Sequence, residues 1–485
     1  MSKSHYLSLF LSLLCFIQTI EPYAQTTPPT PHYPIPSEAQ LCWHEMEQYA
    51  FIHFTINTFT NKEWGYGDES PALFNPTAAD PDQWARVIAA AGLKGIILTV
   101  KHHDGFCLWP SAHTRHSVRN SPWMDGKGDL VRRVSDACRK HGLQFGIYLS
   151  PWDRNHSGYG TPSYIEYYRN QVKELAGNYG PVFEWWLDGA NGGDGYYGGA
   201  LETRHIDRQQ YYGWPETIQQ IKMMQPDVLI FSDAGPDIRW VGNESGYAGT
   251  TNWNCLTADT LYPGKAGLSP LLEHGAQDGK SWIPAEVDVS IRPGWFWHSH
   301  EDSLVKSPQQ LFEIYLNSVG RGANLLLNIP PDKRGLIHEN DVNALLQWKQ
   351  LRDEAFGINL AAKAKVSTDT HRNNDAHFAA AKLTDNDPET FWSTDDDIAA
   401  GNIFIRFENP TRIQYVVLQE YIRLGQRIDM VEIACLEGDE WKTIASATTI
   451  GHKRILALPS TETIALRIHV KSTKACPLVS NIEVF

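Results

Sequence analysis

Residues 95–106 read GIILTVKHHDGF, a short apolar run that changes at once into basic, histidine and acidic side chains. An apolar run of this length is typical of a buried strand. Amphipathic helix patterns lie on both sides of it, at 82–91 and 129–141. A strand enclosed by helices in this way predicts a unit of a parallel sheet.

The same alternation continues in both directions along the chain. Further strand-like runs occur at 51–56, 144–149, 183–187, 227–231, 286–291 and 323–329, and further helix patterns at 163–179, 215–224 and 308–319. About seven or eight such units favour a closed β/α barrel over an open doubly wound sheet. No glycine-rich dinucleotide fingerprint follows the first strand. We therefore predict an α/β fold, a (β/α)8-like barrel over residues 40–355.

The two ends of the chain have a different pattern. After residue 360 short alternating strands replace the helices, at 403–407, 414–419, 430–436 and 464–470, which predicts an all-β sandwich over residues 360–485. Residues 25–39 are rich in proline and predict an extended leader. Residues 1–24 combine Lys3 with an apolar stretch at 7–20 and end at Ala24, which predicts a signal peptide. We expect an exported protein, either periplasmic or secreted.

Composition narrows the function classes. The formal charge of −14 over 485 residues argues against a nucleic-acid partner, because phosphate binding needs a basic face. No second apolar run reaches membrane length, so no membrane span is expected. The cysteines beyond residue 24 are scattered without CxxC spacing, which makes a zinc cluster improbable. A Cys435–Cys476 disulfide stays open.

Polar and aromatic residues lie in or just after the predicted strands, near the ends where catalytic groups of β/α barrels gather. They are His53, Glu63, Trp64, His102, His103, Tyr148, Asp188, Arg239, Glu244, Glu286 and Trp295. Polar atoms suit sugar hydroxyls and aromatic rings suit the carbon faces of sugars, so this rim predicts a carbohydrate pocket.

Asp188 is the candidate nucleophile. It ends the apolar run 183–187 and precedes Gly189. An Asp-Gly pair alone is more often a turn, but the tryptophans and histidines around it favour a catalytic role. Glycosidic cleavage needs a second carboxyl group that protonates the leaving oxygen.

His102 and His103 also raise a metal-site interpretation, since histidine is a common ligand. Consecutive strand residues point to opposite faces, and no HxH or HExxH pattern accompanies them. Hydrogen bonding to sugar hydroxyls is favoured, and a buried structural role for one of the pair stays open. No metal is predicted in the catalytic site.

The ordered set of His53, Glu63-Trp64, KHHDGF at 101–106, WLDG at 186–189 and GPDIRWVGNE at 235–244 resembles α-L-fucosidases of glycoside hydrolase family 29. The resemblance covers about residues 40–355. It implies a retaining double displacement without a cofactor, with Asp188 as nucleophile. It also implies fucose-binding positions, which are His53, Glu63, Trp64, His102, His103, Tyr148 and Trp295.

The acid/base follows from the same resemblance. RWVGNE at 239–244 is similar to the branch that acts on α1,3- and α1,4-linked fucose of branched, Lewis-type glycans, which makes Glu244 the expected acid/base. Aromatic residues near it are expected to desolvate it, namely Trp240, Tyr247 and Trp253. The rival is Glu286, whose alternative role is a structural or substrate-orienting carboxylate paired with Arg292. Arg239 and Glu286 are counted among the substrate-binding residues.

The tail has its own resemblance. LTDNDPETFW at 383–392 is similar to the start of a discoidin-like (coagulation factor 5/8 type C) sandwich, often a carbohydrate-binding module. This implies either glycan binding or a domain that only packs against the barrel. Asp385 and Asp387 offer oxygen ligands for a structural Ca²⁺, and Trp392 is expected in the core.

The expected partners are fucosylated oligosaccharides or glycoproteins. The alternatives are a barrel glycosidase of other specificity, such as an α-galactosidase, a non-catalytic glycan-binding protein, and a metal-dependent hydrolase built on His102 and His103.

Overall fold

The computed structural model describes residues 27–485, so the predicted signal peptide, residues 1–24, lies outside the described residues. Two domains follow each other along the chain. The first is a barrel and the second is an antiparallel sheet, which confirms the predicted fold class.

Eight parallel strands close the barrel in sequence order, with the last strand paired to the first. They are β1 Gln48–Ile52, β2 Gly95–Lys101, β3 Gln144–Leu149, β4 Glu184–Trp186, β5 Leu229–Ser232, β6 Ile238–Trp240, β7 Ala285–Ser290 and β8 Asn324–Asn328. Strands of a parallel sheet are covered on both faces, which explains why β2 is buried at every position.

Nine α-helices lie around or between the strands in the described part of the chain. They are α1 Glu38–Met46, α2 Asn57–Thr60, α3 Pro81–Ala90, α4 Leu130–His141, α5 Pro162–Asn178, α6 Trp214–Met224, α7 Ser269–His274, α8 Pro308–Asn317 and α9 Glu339–Ala355. Their ends follow local chemistry. The Asp129 carboxylate accepts the Arg132 N–H at 2.9 Å to start α4, and Gly142 ends that helix with φ +68°.

The barrel departs from the regular pattern between β5 and β6. Residues 233–237 turn back along β5 without forming a helix, and the Asp237 carboxylate accepts the Ile230 N–H at 2.8 Å. β6 then runs parallel to β5. The sequence pattern contains no helix signal here and β6 is only three residues long, so this strand was not predicted.

The second domain is one seven-stranded antiparallel sheet. Its strands are β9 Lys365–Thr368, β10 Trp392–Ser393, β11 Ala400–Glu420, β12 Ile428–Glu437, β13 Glu440–Ala447, β14 Arg454–Ser472 and β15 Leu478–Val484. The long strands β11 and β14 pair with two register shifts. Trp392 is completely buried in the core, as predicted.

The acidic side chains of the Asp385 loop are bonded within the protein. The Asp385 carboxylate accepts from Lys382 at 3.2 Å and from Thr390 at 2.9 Å, and an Asp387 oxygen accepts the Glu389 N–H. An ammonium group beside Asp385 already balances its charge. Within residues 27–485 no three His, Cys, Asp or Glu side chains converge as a metal site.

The two domains share an apolar core. Val417 and Ile455 of the second domain belong to the same buried cluster as the residues between barrel strands and helices. Ile422 packs with Cys255 and Trp282 of the barrel. A continuous core of this kind favours one rigid unit over two mobile domains.

The proline-rich leader lies on the second domain. The carbonyl of Thr27 accepts from Arg372 at 2.8 Å, the carbonyl of Thr30 accepts from Arg427 at 2.8 Å, and the His32 N–H donates to the Leu424 carbonyl at 2.8 Å. The start of the described chain is thereby bound to its C-terminal part.

Two further findings concern the sequence predictions. The six cysteines of the described chain are all free, so Cys435 and Cys476 are not joined. Among residues 27–485 no helix has both the length and the apolar character needed to cross a membrane.

Candidate active site

Asp188 lies just beyond the end of β4, on the inner side of the barrel. Its Oδ2 accepts the Tyr148 hydroxyl proton at 2.7 Å and lies 3.7 Å from His103 Nε2. Its Oδ1 accepts the Ala190 N–H at 2.7 Å, which is the turn contact that the Asp-Gly pair suggests. The side chain is 22% exposed, so one carboxylate is both held in place and open to a ligand.

Three histidines stand beside Asp188. His53 follows β1, and His102 and His103 follow β2, with ring centres 5.6 Å apart for His53 and His102 and 4.1 Å apart for His102 and His103. Burial lowers the pKa of His53 to about 3 and that of His103 to about 4, and it lowers the pKa of His102 well below its usual value. All three rings are therefore neutral near pH 7.

The hydrogen-bond network fixes which nitrogen of His103 carries its proton. The Ser150 hydroxyl donates to the Trp152 carbonyl at 2.7 Å, so its oxygen accepts from His103 Nδ1 at 2.8 Å. The proton is on Nδ1, and Nε2 presents a lone pair toward Asp188.

The same argument assigns the proton of His53. The Asn328 amide donates to Ser290 at 2.9 Å and to the Trp295 carbonyl at 2.8 Å, so its Oδ1 accepts from His53 Nδ1 at 2.8 Å. His53 Nε2 is likewise an acceptor. Two imidazoles thus offer acceptors suited to hydroxyl protons.

Glu63 organises the loop after β7. Its carboxylate accepts the Trp295 N–H at 2.8 Å, the Phe296 N–H at 3.3 Å and His298 Nε2 at 2.6 Å. A side chain at Gly294 would collide with it, because a Cβ there would lie 2.6 Å from Glu63 Oε1. Glu63 therefore positions Trp295, whose ring centre lies 5.2 Å from that of His53.

Trp64 forms an aromatic wall of the pocket. It is 54% exposed and meets His103 and Trp152 edge to face, with ring centres 5.2 and 5.6 Å away. An exposed indole on a rim of histidines suits the apolar face of a sugar.

Glu244 lies on the loop after β6. Its Oε2 accepts the Trp295 indole N–H at 3.2 Å. Burial raises the pKa of Glu244, and the negative charge of Asp188 raises it further. The indole that bonds Glu244 is thus that of Trp295, whereas the Trp240 indole donates to Asp288 at 2.8 Å.

The structure does not bring Glu286 to the pocket, contrary to expectation. Glu286 is fully buried inside the barrel, where its Oε1 accepts the Trp186 indole N–H at 2.8 Å and its Oε2 accepts from Tyr49. Burial raises its pKa to about 7. The expected pairing with Arg292 is also wrong, because Arg292 bonds Asp341 at 2.6 Å and Asp302 at 2.9 Å.

Arg239 is also placed away from the pocket, so its assignment as a substrate-binding residue is corrected. It is fully buried and donates to the Leu272 carbonyl at 2.8 Å, to the Ile283 carbonyl and to Asn252 at 2.9 Å. Burial lowers its pKa to about 9. Side chains alternate along β6, so Trp240 faces inward and Arg239 outward.

Sequence reasoning missed several residues that support the site. Ser150 and Asn328 orient the histidines, and each is the first polar residue after an apolar run, a signal that could have found them. Asp233 lies directly after Ser232, the last residue of β5. Its Oδ2 accepts the Gly264 N–H at 2.7 Å, it packs against Gly189, and burial raises its pKa to about 6.

Comparison with known proteins agrees with this geometry. The alpha-L-fucosidase family model matches residues 30–350, and the F5/8 type C domain model matches residues 363–483. Alpha-L-fucosidase 1 of Arabidopsis thaliana is 37% identical over 98% of this chain and 92% of its own length.

Solved structures are similar over nearly the whole chain. A glycoside hydrolase 29 family member from an unknown rumen bacterium is 44% identical, with a TM-score of 0.83, over 94% of this chain and 78% of that one. A GH29 fucosidase of Ruminococcus gnavus in complex with fucose is 31% identical, with a TM-score of 0.85, over 95% of this chain and 96% of that one.

Proposed function

Because this chain belongs to the alpha-L-fucosidase family, glycoside hydrolase family 29, we propose that it is a retaining exo-glycosidase that removes terminal α-L-fucosyl groups. The observation that carries the proposal is the Asp188 carboxylate, which is held by Tyr148 at the end of β4 beside a loop carrying a second carboxyl group, Glu244. Two carboxyl groups are what a double displacement requires.

In the first step Asp188 attacks the anomeric carbon. The bond between that carbon and the glycosidic oxygen breaks, a fucosyl ester forms on Asp188, and Glu244 gives its proton to the leaving oxygen. The raised pKa of Glu244 supports this role, because a general acid must still hold its proton near neutral pH.

In the second step Glu244, now a carboxylate, takes a proton from water, which attacks the same carbon and releases Asp188. The Tyr148 hydroxyl donates to Asp188 at 2.7 Å and stabilises it as the leaving carboxylate. Fucose leaves with the configuration it had in the substrate. The two carboxyl groups supply nucleophile, acid and base, so the proposal requires no cofactor.

Recognition of the sugar is assigned to the histidines and Trp64. The Nε2 atoms of His53 and His103 accept protons from sugar hydroxyls, because both rings are neutral and protonated on Nδ1. Trp64 packs on a carbon face of the sugar.

We extend the proposal to the natural substrate. The loop sequence RWVGNE at 239–244 supports α1,3- or α1,4-linked fucose of branched, Lewis-type oligosaccharides or glycoproteins. The signal-peptide pattern of residues 1–24 supports an exported enzyme that meets such glycans in the periplasm or outside the cell.

The test combines three variants with azide. Asp188→Ala and Glu244→Ala should each lose hydrolysis of a Lewis-type trisaccharide, by roughly 10²-fold or more for the general acid. On α-L-fucosyl fluoride, whose leaving group needs no proton, azide should restore turnover in both variants and give fucosyl azides of opposite anomeric configuration, because it replaces a different group in each. Glu166→Ala, on the exposed face of α5, is the matched control and should keep full activity.

Azide rescue of Glu286→Ala without rescue of Glu244→Ala would overturn the acid/base assignment. Cleavage of an α-galactoside without release of fucose would overturn the sugar assignment. Binding of the trisaccharide without any turnover would leave a glycan-binding protein instead of an enzyme.

A further inference from the structure

The loop that carries Glu244 is held at several points along its length. At the N-terminal end of the loop, Val241 continues the pairing of β6, since its N–H donates to the Glu286 carbonyl at 3.0 Å. Around Glu244 the Ser245 N–H donates to Asn243 at 3.0 Å, Asn243 donates to the Tyr247 carbonyl at 3.1 Å, and the Trp295 indole donates to the Glu244 carboxylate at 3.2 Å. Further along, the Ala248 N–H donates to the Asn317 carbonyl of the barrel at 2.9 Å, so the position of the loop depends both on the barrel and on how its far side, after residue 249, is held.

That far side is held by the second domain. The buried Gln426 bonds the backbone at two points, donating to the Asn252 carbonyl at 3.0 Å and accepting the Asn254 N–H at 2.8 Å. The Asn252 N–H donates to the buried hydroxyl of Thr449 at 3.0 Å. The second domain thus both buries these backbone groups and supplies their hydrogen-bond partners.

Neighbouring contacts strengthen the attachment. Arg454 donates to the Thr250 carbonyl at 3.1 Å and to the Thr449 hydroxyl at 2.8 Å. The Thr448 and Thr251 hydroxyls are 2.8 Å apart, and Ile422 packs on Cys255. Polar and apolar contacts of the second domain thus hold the segment 250–255.

Asn252 joins this segment back to β6. Its Oδ1 accepts from Arg239 at 2.9 Å, and its Nδ2 donates to the Arg321 carbonyl at 3.0 Å. The buried Arg239 thus links β6, at the start of the loop, to Asn252, at its end. This structural role explains why Arg239 does not contact the pocket.

We propose that the second domain is a positioning domain for the acid/base: through Gln426 and Thr449 it holds the segment 250–255, and with it the carboxyl group of Glu244. This inference rests on the proposed function, in which Glu244 protonates the leaving oxygen. A displaced general acid slows only a step that needs its proton, whereas a displaced nucleophile slows every substrate.

The experiment compares leaving groups in the full-length enzyme. Gln426→Ala and Thr449→Val are assayed for kcat/KM on a Lewis-type trisaccharide, whose alcohol needs a proton to leave, and on α-L-fucosyl fluoride, whose fluoride does not. We expect a fall of roughly tenfold on the trisaccharide and less than about twofold on the fluoride, because misplacement of a catalytic group by an ångström costs up to about 10²-fold. Thr449→Ser keeps the hydroxyl and should restore the trisaccharide activity.

Two further variants keep the test decisive. Arg423→Ala removes another contact between the domains, the ion pair of Arg423 with Glu38 at 2.9 Å, and should change neither activity. Thr448→Val, at an exposed position, should show a smaller loss with the same dependence on the leaving group, even if the buried variants fail to fold.

Equal losses on both substrates, or no loss on either, would overturn the positioning role. Glu244→Ala is measured in parallel. Should that variant itself lose the same factor on both substrates, it is the acid/base assignment that fails, and the two failures are thereby distinguished.

Discussion

Among single residues, Tyr148 makes the most direct contact with the nucleophile, a hydrogen bond of 2.7 Å to Asp188. Tyr148→Phe removes only the hydroxyl. A hydrogen bond to a charged group contributes about 1.5–3 kcal/mol, so kcat should fall by roughly 10- to 100-fold. Steady-state kinetics on the trisaccharide provide the measurement.

Tyr168→Phe is the control for this change, because the Tyr168 hydroxyl donates to the Leu149 carbonyl at 3.0 Å instead of to the nucleophile. That variant should keep kcat within about twofold. Equal losses of kcat in the two variants would show that the hydrogen bond from Tyr148 to Asp188 is not the cause of the loss.

The buried histidines make stability depend on pH. Burial lowers the pKa of His53 from 6.5 to about 3 and that of His103 to about 4, so the folded chain keeps both neutral while the unfolded chain takes up protons below pH 6.5. The contribution of these two rings to stability is thus constant above pH 6.5 and falls as pH decreases from 6.5 toward 4, by about 1.4 kcal/mol per pH unit for each histidine.

Urea unfolding at several pH values between 7 and 4.5 measures this slope. His53→Gln should lower the slope over that range by the contribution of one histidine. An unchanged slope in the variant would contradict the assignment of His53 as a buried neutral ring. His300, which is exposed, supplies the control variant His300→Gln.

The residues of the pocket could be predicted to different degrees. Asp188 and the histidines follow long apolar strands, so their place at the rim was readable from the sequence. The burial of Glu286 inside the barrel could not be predicted, because the sequence pattern does not reveal that Trp186 and Tyr49 cover its carboxylate. Arg239 was misassigned because the turn at 233–237 determines which residues of β6 face into the barrel. The hydrophobic periodicity of the sequence gives no signal for this turn.

At the level of elements, a buried ion pair joins the ends of β2 and β3. Lys101 Nζ lies 3.3 Å from Asp153 and 2.9 Å from Gln171, and Asp153 also accepts the N–H groups of Asn155 and His156. Lys101→Met leaves the Asp153 charge buried without its ammonium counter-ion. The free energy of unfolding should fall by about 3–5 kcal/mol.

The double variant Lys101→Met/Asp153→Asn should recover part of that loss, because no charge is then left buried. Arg86→Ala, which breaks an exposed pair with Asp82, is the control and should change the free energy of unfolding by less than about 1 kcal/mol. A loss in Lys101→Met no larger than that of the control would contradict the role of the pair.

Most barrel strands were predicted close to their observed positions because a strand covered on both faces reads as a continuous apolar run. β1 was placed too late: it ends at Ile52, and the chain beyond it, including His53, already belongs to the rim. β6 escaped prediction because three residues carry no recognisable period.

In the whole molecule, the shared core makes the two domains interdependent. A chain that ends before residue 363 loses Val417 and Ile455 from the core and exposes the backbone that Gln426 and Thr449 satisfy. We expect such a truncated barrel to be poorly soluble, rapidly proteolysed and inactive on the trisaccharide. The intact protein should unfold in a single calorimetric transition.

The full-length Arg423→Ala variant is the control for truncation, since it weakens one contact at the domain boundary and keeps the rest. A soluble truncated barrel with the melting temperature of the intact protein would contradict the interdependence of the domains.

The leader on the second domain has a consequence for how the protein is made. Thr27, Thr30 and His32 bond residues between 372 and 427, which leave the ribosome long after them. These bonds can therefore form only after nearly the whole polypeptide has been synthesised, although domains generally fold in order from the N-terminus. Docking of residues 27–32 on the second domain is therefore a late event in the assembly of this protein.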